Sequence, residues 1–249
     1  MRSILEEETA IELQHINVKL YLNNRDADLA PVIPVFHSWI QDQVFDELLI
    51  DVADYRHVHH GPGLMLIGHE ADYSLDNTDG VLGVRYNRKA PLAGTNLDRL
   101  IQATRSALLA CQRLEADTRL NGKLRFNGQK VQLTINDRLL APSDKVTRDA
   151  IEPDIRTFAA RLFGDFGYSL SFDTDPRRLL SAIIRASSPS SAGTCLTASR
   201  ANWIERSTHS SALSMSDNKY YVKSRRAAPD SLPARYSQGE VSPFVSHIL

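Results

Sequence analysis

The stretch from Leu48 to Arg88, LLIDVADYRHVHHGPGLMLIGHEADYSLDNTDGVLGVRYNR, constrains the fold more than any other part of the chain. Three strand-like runs, Glu47–Val58, Leu64–Asp76 and Val81–Arg88, are separated only by His59 with the loop His60-Gly61-Pro62-Gly63 and by Asn77-Thr78-Asp79-Gly80. Connections this short join antiparallel strands, because a parallel pair needs a crossover of a dozen or more residues. The segment therefore predicts an antiparallel sheet, and the same geometry brings acids, histidines and an arginine together.

The flanking segments extend that sheet and cover it. Ile16, Val18, Leu20 and Leu22 alternate as in a strand and stop at Asn23-Asn24. In APVIPVFHSWIQDQ, Val35, Phe36, Trp39 and Ile40 recur at helical spacing, which predicts a short helix from near Pro34 with His37 on it. Asn96 can cap a helix over 97–114 whose apolar stripe includes Leu100, Leu108 and Cys111. In KLRFNGQKVQLTIN, Asn127-Gly128 is the preferred two-residue hairpin turn, and it sets Leu124, Phe126, Val131, Leu133 and Ile135 on one face. A second long helix is expected from Glu152, with Pro153 in its first turn, to a stop at Gly164. Tyr168–Asp173 reads as a last strand and Pro176–Arg185 as a short helix.

Two blocks resemble each other. VRYNRKAPL and LTINDRLLAP each precede an amphipathic helix, with Asn87 and Asn136 in corresponding places, which suggests a ββα pseudo-repeat. The expected fold is α+β: a mostly antiparallel sheet of about six or seven strands with helices on one face, spanning residues 8–185. Residues 186–249 are Ser-rich and lack lasting apolar periodicity, so a disordered tail is expected there, with Trp203, Tyr220 and Tyr221 as scattered aromatics.

Composition narrows the function by exclusion. The formal charge of -1 gives no electrostatic footprint for nucleic acid or an anionic membrane, and Lys223, Arg225 and Arg226 form only a short basic cluster. The first residues carry acids where a secretory leader needs a basic start, and no run approaches the length of a membrane span. A cytoplasmic protein is expected. Two cysteines, Cys111 and Cys195, do not make a disulfide framework. No phosphate-binding glycine loop, nucleophile elbow, HExxH or cysteine pair is present, and no cofactor is implied.

Taking His60–Gly63 as the whole loop sets Val58 opposite Met65 and Asp54 opposite His69; the next turn sets His69 opposite Arg88. Asp54, His69 and Arg88 then form a row at the edge of the core face, and His37 can complete it. A carboxylate beside an imidazole fixes its tautomer and raises its basicity, while an arginine can hold an anion. The same row also serves as a satisfied polar network closing the core. On the other face Glu70, Asp72, Ser74 and Asp76, with Arg85 across from Asp72, read as a solvated charged surface. His57 and His59 share a strand face beside His60 and are weak metal candidates, because no third ligand is at hand.

Two functions of different classes follow. One is a binding or assembly module serving a protein partner or self-association, motivated by the missing reaction motif. The other is a small-molecule enzyme with Asp54 and His69 as acid/base pair, Arg88 as anion anchor and His37 assisting.

Overall fold

Strand β1 (Ile16–Leu22) turns Ile16, Val18, Leu20 and Leu22 toward one face and is occupied on both edges, by β5 (Gly83–Arg88) and β6 (Phe126–Ile135). The computed structural model describes residues 11–24, 27–164 and 167–187. Its other elements are α1 (Val32–Asp42), β2 (Leu49–Tyr55), β3 (Gly63–Gly68), β4 (Ala71–Asp76), α2 (Asn96–Ala116), α3 (Lys145–Phe163), β7 (Tyr168–Phe172) and β8 (Ser181–Ala186). The eight strands lie in the order β2-β3-β4-β5-β1-β6-β8-β7, and every neighbouring pair is antiparallel. The helices pack on one face. Val18, Leu20, Leu66, Tyr73, Tyr86, Leu133 and Ile184 from the sheet share one core with Phe36, Leu100, Leu108 and Phe158. The architecture is α+β, as the alternating runs imply.

The expected strand over Leu64–Asp76 is instead a hairpin, β3 and β4, turning at His69–Glu70. The physical cause is a change of phase. Leu64 and Leu66 face the core at even positions, whereas Ala71, Tyr73 and Leu75 do so at odd ones. One strand cannot place both sets on one face, but a two-residue turn after Gly68 does. Gly68 allows the close approach, since a Cβ there would lie 2.5 Å from the Ala71 carbonyl oxygen.

The Asn127-Gly128 hairpin is also corrected. Residues on both sides of it pair with β1, Leu20 with Val131 and Leu22 with Phe126, so the turn sequence forms a bulge inside one strand. The Asn127 side chain accepts from the Gln129 amide at 2.7 Å and supplies the local turn. Phe126 and Val131 are an odd number of positions apart while Leu20 and Leu22 are an even number apart. The bulge absorbs that difference and keeps Phe126, Val131, Leu133 and Ile135 all on the core face.

The remaining differences are smaller. Helix α3 starts at Lys145, where the Asp144 carboxylate accepts from the Thr147 amide, and it carries Pro153 on its exposed side. Thr95 rather than Asn96 caps α2, in a reciprocal capping box with Asp98. The segment expected as a helix over 176–185 contains β8, whose Ala182 and Ile184 pair with Leu133 and Val131 of β6. The ββα likeness ends at the second helix, because β6 pairs with β1 and β8 and has no hairpin partner of its own. Ala186, expected to open the tail, closes β8. Residues 1–10 and 188–249, with Cys195, Trp203, Tyr220, Tyr221, Lys223, Arg225 and Arg226, lie outside the described residues.

The face away from the helices is not a solvated charged surface. Asp72, Ser74 and Asp76 are buried there, as are Asn17 and Lys19, and Arg85 pairs with Ser74 rather than Asp72.

Candidate functional site

Helix α2 has two functional sides. Leu100, Ala103, Thr104, Ala107, Leu108 and Cys111 bury against the sheet. Gln102, Arg105, Ser106 and Leu109, at positions i, i+3, i+4 and i+7, form a neighbouring stripe. That stripe walls a cleft of about 320 Å³ whose opposite side is built from Phe45, Asp46 and Glu47 ahead of β2, Glu70 in the β3–β4 turn, Tyr73 of β4 and Arg88 of β5.

Aromatic stacking sets its floor. Phe45 lies nearly flat on Tyr73, centroids 4.6 Å apart, and meets Trp39 of α1 edge-on. Tyr73 and Tyr86, directly opposite in β4 and β5, pack at 5.2 Å. Each hydroxyl reaches the rim. Tyr73 donates to Glu47 Oε1 at 2.5 Å, and Gln102 Nε2 donates to the Tyr86 hydroxyl at 3.0 Å and to Ser106 Oγ at 3.2 Å. Arg88 donates from Nε to the Ala90 carbonyl at 2.8 Å and pairs with Glu70 at 3.0 Å.

Burial dominates the electrostatics here. It raises the Glu47 carboxyl above its usual range, against the Tyr73 hydrogen bond and Arg88, with Glu70 and Asp72 adding to the rise. It raises the Tyr73 phenol as well, reinforced by Glu47. Burial works against the charge on Arg88, but Tyr86 and Glu70 outweigh it and hold the guanidinium more firmly protonated.

Three polar atoms of this cleft are buried without a hydrogen-bond partner among the described residues: Glu47 Oε2, Gln102 Oε1 and Arg105 Nε. Arg105 also has no ion-pair partner among them. Buried polar groups are normally paired, so three unpartnered buried atoms on residues that line one concavity single it out as a candidate binding site.

Of the residues expected to act together, only Arg88 lines this cleft. Asp54 pairs with Leu64, not His69, because the β2–β3 loop runs from Arg56 to Pro62 rather than from His60 to Gly63. Its exposed carboxylate takes two bonds from Arg56, at 2.9 and 2.6 Å, which hold its pKa down to about 2. His69 sits exposed in the β3–β4 turn, five positions beyond Leu64, or about 16 Å along the strand at 3.3 Å per residue. His37 is on the exposed side of α1. The Asp54-His69-Arg88 row is thus not assembled. His57, His59 and His60 all lie in one exposed loop, where only the His59 and His60 rings touch, and among the described residues no group of three metal-ligating side chains comes together.

Glu47, Gln102 and Arg105 escape a reading that looks for histidines. The signal that could have found them is the polar stripe beside the apolar one on α2. No protein-family model, curated protein or solved structure matches this chain. No helix among the described residues is long and apolar enough to cross a membrane.

Proposed function

We propose that this chain is a binding module and that the α2 cleft holds a small polar ligand. The observation that carries the reading is that three residues lining that cleft each hold a buried polar atom without a hydrogen-bond partner among the described residues, Glu47 Oε2, Gln102 Oε1 and Arg105 Nε. An unsatisfied buried polar group costs about 1–3 kcal/mol, and a ligand supplying the missing partners recovers part of each cost. Binding is preferred to catalysis because, in the acid/base pair of the alternative reading, Asp54 is engaged by Arg56 and stands apart from His69. A thermal-shift screen of small polar metabolites on wild type and Gln102→Leu tests it. Stabilisation by one chemical class in wild type, lost in the variant, is expected. Equal shifts in both proteins, or none in either, would end the reading.

Self-association is the second reading, favoured by Leu48 and Ile50. Both are exposed, at 59% and 53%, beside the unpaired edge of β2. Asp51, Asp54 and the bulge at Ile50 are features that keep such an edge from pairing, which places this reading second. Light scattering of wild type and Ile50→Lys decides it: a dimer dissolved by the substitution supports assembly, and a monomer at all concentrations removes it.

A further inference from the structure

We infer that the ligand of the α2 cleft is a free α-amino acid, recognised through its ammonium and its carboxylate together; this rests on the binding reading above. The argument is one of complementarity. Gln102 spends both amide hydrogens on the Tyr86 hydroxyl and Ser106 Oγ, so its carbonyl oxygen is left to accept. Glu47 uses one carboxyl oxygen for the Tyr73 hydroxyl and leaves the other to accept. These two unpartnered acceptors ask for a donor-rich, positively charged group. Arg105 asks for the reverse, since it is a guanidinium with a buried Nε–H and no acceptor or anion among the described residues.

A purely anionic ligand would satisfy Arg105 but meet Glu47 and Glu70, and a purely cationic one would leave Arg105 unmatched and face Arg88 as well. A zwitterion answers both demands and adds no net charge to a cleft that already holds both signs. The size agrees, because about 320 Å³ is at the lower end for small-molecule sites. Phe45 and Leu109 provide an apolar wall for the ligand side chain, and Glu70 disfavours an acidic one.

The test is isothermal titration of the full chain with a panel of free L-amino acids, their N-acetyl derivatives and their amides. Binding is expected for free amino acids with apolar side chains. Removing either charge should weaken it at least tenfold, by N-acetylation at the Glu47 and Gln102 end or amidation at the Arg105 end. Arg105→Gln should weaken the free amino acid by a similar factor and leave amide binding nearly unchanged, with its unfolding midpoint recorded to show that the fold persists. If a simple amine or a simple carboxylate binds as tightly as the amino acid and Gln102→Leu abolishes that binding, the ligand class is wrong while the cleft reading survives. If no member of the panel and no metabolite of the wider screen binds, both fall.

Discussion

The Lys19 ammonium lies 2.5 Å from the Asp76 carboxylate on the face of the sheet away from the helices, and Asp76 is fully buried. The two residues are on β1 and β4, with β5 between them, and Gly83 opposite Asp76 has no side chain to intervene. Thr78 donates its hydroxyl to Asp76 at 2.5 Å, Arg85 pairs with it at 3.2 Å, and Lys19 also donates to the Thr78 carbonyl at 3.2 Å. Arg178 from the β7–β8 loop pairs with Asp79 at 2.5 Å, although their loops leave the sheet at opposite ends. Removing one partner of a buried pair leaves an uncompensated charge. Asp76→Ala should therefore destabilise by about 3–5 kcal/mol, whereas Lys19→Met with Asp76→Leu should cost less than the sum of the single changes. Urea unfolding of the three variants measures this, and strict additivity would show that the charges do not act as a pair.

The bulge in β6 makes a prediction about parity. Deleting Gln129 alone leaves an even spacing between Phe126 and Val131, at which a regular strand carries both on the core face without a bulge. Deleting Gly128 and Gln129 together restores an odd spacing, which still needs a bulge and leaves fewer residues to form it. The one-residue deletion should remain folded and the two-residue deletion should be less stable, by circular dichroism and thermal melting. The opposite order would show that phase does not govern this strand.

Much of the fold was legible because apolar periodicity and sheet geometry agree. Strand β1 and the core-facing stripes of α1 and α2 could be read from residues such as Val18, Phe36 and Leu108. Legibility failed where apolar residues occupy both faces. In Leu64-Met65-Leu66-Ile67 the alternation carries no phase, so the turn at His69–Glu70 passed as strand and the register across Asp54 slipped with it. Asn127-Gly128 misled for another reason: turn chemistry specifies a local bend, but β1 offered both flanks a partner that local sequence cannot reveal. The cleft was nearly invisible, since Glu47, Tyr73 and Arg105 meet only through tertiary packing, and Arg88 was placed near a site for a register that does not form.

That register has a direct mutational signature. His69 is exposed in a turn and contributes its backbone amide, 2.8 Å from the Leu48 carbonyl, so His69→Ala should change stability by no more than about 0.5 kcal/mol. Arg88 is only 11% exposed and serves both Ala90 and Glu70, so Arg88→Ala should cost about 1–3 kcal/mol. Chemical denaturation distinguishes the two. A large loss for His69→Ala would restore the row in which it stood against Asp54.

Glu47 gives the cleft a pH signature. Its folded pKa lies above the unfolded value of about 4.5, chiefly because burial penalises the carboxylate. Between those two values the native state binds more protons than the unfolded chain, so this group's contribution is fully present below pH 4.5 and is lost as pH rises through the folded pKa. Asp98 and Asp117, whose values are lowered by hydrogen bonds from Thr95 and Arg119, act in the opposite sense, so the whole-protein curve mixes both signs. The informative quantity is the difference between wild type and Glu47→Gln, which keeps an acceptor for the Tyr73 hydroxyl and cannot ionise. Wild type should lose stability relative to the variant as pH climbs from about 4.5, by urea unfolding across a pH series. A saturating ligand that brings an ammonium to Glu47 should shrink that difference, because the new partner stabilises the carboxylate in the folded state. A pH-independent difference would mean that the carboxyl is ordinary and that the cleft holds no strained acceptor for a ligand to satisfy.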